Sequence, residues 1–198
     1  MHRTLAASLL LLVASGTGCI TIAGGGLPAI HPTAPSVRAT VEETVGDFSF
    51  TLVGGKLVTS NKAGRLLNDQ LLSRWKKQGY IAEHAYVPAS QFTGNADYNL
   101  TLSGSQYGES SIAMQILSGL TLLLIPYSVD TRFDIQYTLE NVKTGAKFSA
   151  AVEDSYATWS ELLLFVAAPF SMRGASKTWN NMGDHLYEQL RAQGAFGP

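Results

Sequence analysis

The sequence predicts an α+β fold: a two-layer domain whose sheet has four to five mostly antiparallel strands, with two amphipathic helices and two adjacent apolar helical segments. Three observations carry the expectation. Residues 132–142 alternate strictly, with Phe133, Ile135, Tyr137 and Leu139 on one face and Arg132, Asp134, Gln136, Thr138 and Glu140 on the other; that is the period of a half-buried strand. Ala63, Leu66, Leu67, Leu71 and Trp75 recur at helical spacing, as do Trp179, Met182, Leu186 and Leu190. Two apolar runs, residues 112–126 and 162–170, bracket the alternating stretch.

Composition bounds the class. The chain has 198 residues, 45% hydrophobic and 15% charged, with a net charge of −1. That length suits one domain with a substantial core. The near-zero charge argues against a general nucleic-acid binder, which needs a basic face. A single cysteine, Cys19, excludes an internal disulfide framework.

At the amino terminus, Arg3 is followed by an apolar stretch, residues 5–14, the length of a secretory h-region and too short to span a bilayer comfortably. Small residues then lead to Cys19. This arrangement resembles the lipobox of bacterial lipoproteins, in which an apolar residue and two small residues precede the cysteine that is acylated. Thr17, Gly18 and Cys19 match the pattern; Gly16 stands where the family prefers Leu. The resemblance implies a signal peptide over residues 1–18 and a palmitate-bearing Cys19 that anchors the chain in a membrane. Ile20 follows, not the Asp that resembles an inner-membrane retention signal. The implied address is the outer membrane, periplasmic side. Residues 19–40, rich in Gly, Pro and Ala, read as the lipidated cysteine and a flexible linker. Residues 41–198 read as the single domain.

Within the domain, Phe48, Phe50 and Leu52 alternate, giving a first strand over residues 44–53, and residues 56–59 are a candidate short return strand after Gly54 and Gly55. Ser60 or Asn61 can cap the first helix. Lys76 and Lys77 suit its negative end, and Gly79 suits the position just past it. Residues 80–87 and 97–105 are further strands. Ser110 and Ser111 can cap the apolar run that follows. Lys143, Thr144 and Gly145 form the turn of a hairpin whose second arm carries Phe148, Ala150 and Val152. Ser176 can cap the last helix, and Gly194 closes it. The element order, with the lipobox, is similar to the small α/β domains of envelope lipoproteins: the curli-secretion lipoprotein, the cell-wall synthase activators and the TolB amino-terminal domain. No residue role follows from that likeness.

The apolar pair has two readings. Residues 112–125 would make a helix of about 21 Å, short of the roughly 30 Å hydrocarbon core, so spanning is not expected. The runs either cover the open face of the sheet or project from it. In the second case Ile112, Ile116, Leu117, Leu120, Leu123, Leu124, Leu163, Leu164 and Phe165 are the candidate contacts to a membrane or an envelope partner.

The search for chemistry returns little. No clustered Cys/His ligands, HExxH or GxSxG motif occurs, so neither a metal site nor a cofactor is expected. The resulting expectation is a non-enzymatic assembly, transport or scaffold component of the cell envelope, with no nucleic-acid partner. Two alternatives stand beside it. A membrane-tethered periplasmic hydrolase would need His84, Asp97, Glu109 and His185 to converge. A homo-oligomeric secretion-channel component would pack the apolar pair against neighbouring copies.

Overall fold

The computed structural model describes residues 18–51, 56–88, 91–121, 125–161 and 173–197. Along the chain run β1 (Gly18–Ala23), β2 (Ala39–Thr51), β3 (Leu57–Thr59), α1 (Asn61–Gln78), β4 (Ile81–Tyr86), β5 (Tyr98–Glu109), α2 (Ile112–Leu120), β6 (Tyr127–Asn141), β7 (Lys147–Glu161) and α3 (Arg173–Ala192). All the strands join one sheet, in the order β1-β7-β6-β5-β2-β3, with β4 also on β2. α1 and α3 pack together over one face of it.

The sheet corrects the predicted fold class. It has seven strands rather than four or five, and it is mixed: β2 runs parallel to both β4 and β5. One extra strand comes from the stretch read as signal and linker. There Ile20, Thr21 and Ile22, all β-branched and suited to a pleated surface, pair antiparallel with β7 from Gly18 to Ala23. Among the described residues, the expected pair of adjacent apolar helical segments is not found. The first run holds the nine-residue α2, Leu123 and Leu124 lie outside the described residues, and so does the second run with Leu163, Leu164 and Phe165.

β2 also begins earlier than its alternation indicates. Ala39, Val41 and Val45 face the helices, and so does Phe48. The register against β5 slips between Val45 and Phe48, where β2 carries an extra residue. Such a bulge moves the inward positions from odd to even numbers. Opposite it, Gly104 adopts φ +138°, and a Cβ there would stand 2.0 Å from the Asp134 carbonyl oxygen. Only glycine fits that position.

The capping residues do what their chemistry allows. Ser60 Oγ accepts from Ala63 N at 3.4 Å, and Gly79 adopts the left-handed conformation with φ 76°. α1 buries Leu67, Leu71, Leu72 and Trp75, and α3 buries Met182, Leu186, Tyr187 and Leu190. Complete burial of each such side chain contributes about 1.5–3 kcal/mol. Trp75 fixes the two helices together: its Nε1 donates to the Gly183 carbonyl at 2.7 Å, and its ring meets Tyr137 and Tyr187 edge-on at 5.6 and 5.5 Å. Beside it Arg74 grips Asp184 with two hydrogen bonds of 3.2 and 2.9 Å. α3 starts at Arg173, ahead of the expected cap at Ser176.

The segment between β1 and β2 is strapped down rather than free. Gly24 N donates to the Ser155 carbonyl at 2.7 Å, Asn181 Nδ2 to the Leu27 carbonyl at 2.8 Å, and His185 Nε2 bonds the Pro28 carbonyl at 2.9 Å. Leu27 packs against the core.

Candidate functional site

One end of the sheet gathers the features that sequence reading singled out. β1 lies along β7 with Cys19 opposite Ser160 and Ile20 opposite Trp159. β6 lies on the other side of β7, with Tyr127 opposite Ser160 and Ser128 opposite Trp159. The Cys19 backbone therefore stands two strand spacings, about 10 Å, from Tyr127. α2 enters the same end just before Tyr127. A hairpin turn at residues 143–145 marks the far end, so the topology separates the two ends by the length of β6.

α2 is inside out. Its apolar stripe, Ala113, Ile116, Leu117 and Leu120 at i, i+3, i+4 and i+7, is exposed; Ile116 is 59% and Leu120 78% accessible. Its polar residues point the other way. Ser118 is fully buried, and Gln115 Nε2 donates to Ser110 Oγ. Ser111 Oγ accepts from Met114 N at 3.4 Å, the expected cap. Beneath the helix opens a cleft of about 490 Å³, lined by Glu109, Ser111, Met114, Tyr127, Asp130 and Trp159. Trp159 is 44% exposed on the same surface as Ile20. Of the residues expected to touch a membrane or partner, Ile116, Leu117 and Leu120 are thus exposed, and Ile112 opens the helix. No helix among the described residues is long and apolar enough to cross a membrane.

A second feature escaped the sequence reading. Glu43 of β2 is buried under α1. Its Oε1 lies 2.7 Å from His84 Nδ1 on β4, and Asn68 Nδ2 of α1 donates to its Oε2. An ionised carboxylate only accepts, so His84 Nδ1 carries the proton. Asn68 Oδ1 in turn accepts from Tyr137 OH at 2.6 Å. The His84 pKa is raised, first by the bond to Glu43, then by the charges of Glu43 and Asp69, against burial and Lys76. Ligand atoms of Glu43, Asp69 and His84 all lie within 4.8 Å of one another. One imidazole and two carboxylates are a donor set for a divalent cation. As it stands, the cluster closes on itself through hydrogen bonds. No local motif reveals it, because residues 43, 68, 69, 84 and 137 meet only when β4 and β5 pair on the two sides of β2, β6 joins β5 and α1 covers them.

The residues proposed for hydrolysis do not converge. His84 is held by Glu43, and Asp97 Oδ2 accepts from Thr40 N at 2.9 Å and Thr40 Oγ1 at 3.0 Å. Glu109 faces Arg132 at 3.8 Å, and His185 bonds the Pro28 carbonyl. Among the described residues, no hydrogen bond or ion pair joins any two of the four. A groove of about 290 Å³ between α1 and α3, floored by Phe50, Phe133 and Tyr156 and walled by Leu66, Leu67 and Trp179, is largely apolar.

No family model matches the chain, and no curated protein matches it. Solved structures with a similar arrangement include a neuraminyllactose-binding hemagglutinin homologue from Helicobacter pylori, 9% identical, covering 85% of this chain and 91% of that one with a TM-score of 0.43. A DUF330 protein from Xanthomonas campestris is 12% identical, with 82% and 93% coverage and a TM-score of 0.33. A PelC dodecamer from Paraburkholderia phytofirmans is 10% identical, with 83% and 98% coverage and a TM-score of 0.31. At these identities and TM-scores the likeness carries no argument about function.

Proposed function

We propose that the chain is a non-enzymatic component of a bacterial cell envelope, anchored through an acylated Cys19 to the outer membrane on its periplasmic side. The observation that carries the reading is the place of Cys19 in the fold. It sits near the start of an edge strand, at the sheet end where α2 turns its apolar stripe outward. The lipobox resemblance of Thr17, Gly18 and Cys19 supports the same reading. Several acyl chains, at about 0.8 kcal/mol per buried methylene, hold a protein stably.

The test is Cys19→Ala, exported behind an ordinary cleavable signal, beside the unaltered chain in cells fed labelled palmitate. The reading expects label on the unaltered chain, none on the variant, and outer-membrane fractionation of the labelled form. An unlabelled Cys19 overturns it.

A further inference from the structure

We infer that the outward stripe of α2 rests on a phospholipid surface, so that the folded domain itself, and not only an acyl chain, contacts the bilayer. The choice of occupant rests on the reading of Cys19 above. The existence of the surface does not. A helix of a soluble domain turns its apolar stripe toward the core; α2 turns Ala113, Ile116, Leu117 and Leu120 away from it and buries Ser118 instead. α1 and α3 already cover the helix-bearing face of the sheet, and Ile116, Leu117 and Leu120 stay exposed.

Position selects lipid as the occupant. Cys19 is hydrogen-bonded into β1 with no slack between it and the sheet. An acyl chain on it would hold this end, about 10 Å from Tyr127, against the headgroups. Tyr127 and Trp159, both part of the cleft under α2, are amphipathic aromatics that suit the interfacial depth. Charge refines the choice. Glu109 and Asp130 line the same cleft, and Arg132 is the cation near Glu109. With no basic excess, the contact favours zwitterionic headgroups and depends little on salt, unlike a polybasic surface.

The experiment uses the domain exported with Cys19→Ala, which carries no lipid, and vesicles of phosphatidylcholine and phosphatidylethanolamine. Co-sedimentation is measured at low and high salt for this protein and for the same protein bearing Ile116→Glu and Leu120→Glu. Both positions are exposed, so the fold is kept, and an unchanged urea midpoint verifies it. The expected result is salt-insensitive binding that falls roughly tenfold or more in the double variant. Absence of vesicle binding overturns the inference, as does equal binding by the double variant. A dimer in solution that the double variant dissolves, with no vesicle binding, assigns the stripe to a second copy and also overturns it. Palmitate labelling of Cys19 is independent of α2. Labelled Cys19 with no vesicle binding by the lipid-free domain refutes this inference alone, whereas vesicle binding with unlabelled Cys19 refutes the anchor alone.

Discussion

Asn68→Ala tests the buried polar centre most directly. The Asn68 amide is the middle of a chain: Tyr137 OH donates to its Oδ1 at 2.6 Å, and its Nδ2 donates to the Glu43 carboxylate. All three residues are at most 2% exposed, so water cannot replace the amide without opening the α1–sheet interface. Truncation leaves a buried hydroxyl and one oxygen of a buried carboxylate without their partner. A neutral group so stranded costs about 1–3 kcal/mol and a charged one more, giving a loss of about 3–5 kcal/mol. A domain of this size holds about 5–15 kcal/mol in total, and urea slopes are about 1–3 kcal/mol per molar, so the midpoint should fall by about 2 M. Fluorescence of Trp75, which lies against Tyr137, reports the transition. Tyr137→Phe alone should cost about 1–2 kcal/mol, because it strands only Asn68 Oδ1. In Asn68→Ala the hydroxyl is already stranded, so adding Tyr137→Phe should cost nothing further or restore stability. Additive losses, or a loss below about 1 kcal/mol for Asn68→Ala, refute the network as a coupled unit.

Three further outcomes follow from the same geometry. The His84 pKa is raised from 6.5 by its bond to Glu43, so the stability it supplies is complete below about pH 6.5 and is lost as pH climbs through the raised value. Unfolding midpoints of the unaltered protein should therefore drop relative to His84→Gln as pH rises above about 6.5, and parallel curves for the two would contradict this. Gly104→Ala places a Cβ 2.0 Å from the Asp134 carbonyl oxygen at a positive φ. The variant should lose about 3 kcal/mol or more, or fail to fold, read by circular dichroism and urea titration. Arg74→Ala leaves the Asp184 carboxylate buried with only the weak 3.4 Å bond from Tyr80 OH. A loss of about 3 kcal/mol is expected, and Arg74→Lys should recover only part of it.

The elements legible in the sequence are those whose signal is local. The β6–β7 hairpin declared itself because inward Phe133, Ile135, Tyr137 and Leu139 alternate without a break. α1 declared itself through the Ser60 cap, the Gly79 stop and its stripe, of which Leu67, Leu71 and Trp75 are buried while Leu66 is exposed and Leu72 takes an inward place instead. β2 was half legible. The bulge between Val45 and Phe48 breaks the alternation, so Val41 and Val45 read as a different pattern from Phe48 and Phe50. β1 was illegible for a different reason: a short edge strand of Ile20, Thr21 and Ile22 next to Gly-rich chain looks like the end of a signal and the start of a linker, and only the free edge of β7 makes it a strand. The Glu43–Asn68–Tyr137 centre could not be read at all, since β2, β5 and β6 must pair and a helix must dock on them before those side chains meet.

The apolar run around α2 was visible in the sequence, but its orientation was not, and the reason is general. Nine residues with Ile116, Leu117 and Leu120 have the same stripe whether the stripe is buried or exposed. Periodicity says that a face exists; it does not say what lies opposite. The deciding quantity is how much apolar sheet surface remains once the other helices have docked. α1 and α3 seat Leu71, Trp75, Met182 and Leu186 on the inward residues of β2, β5 and β6, and the opposite face of β6 carries Arg132, Gln136 and Thr138, exposed and polar. Among the described residues, nothing on either face covers the stripe, which stays exposed. The helix is therefore left with Ser118 and Gln115 against the domain and its leucines outside, an arrangement that costs free energy in water and is relieved only when something apolar covers the stripe. Because Cys19 shares that end of the sheet, lipid attachment and relief of the exposed stripe would be satisfied by one surface at once.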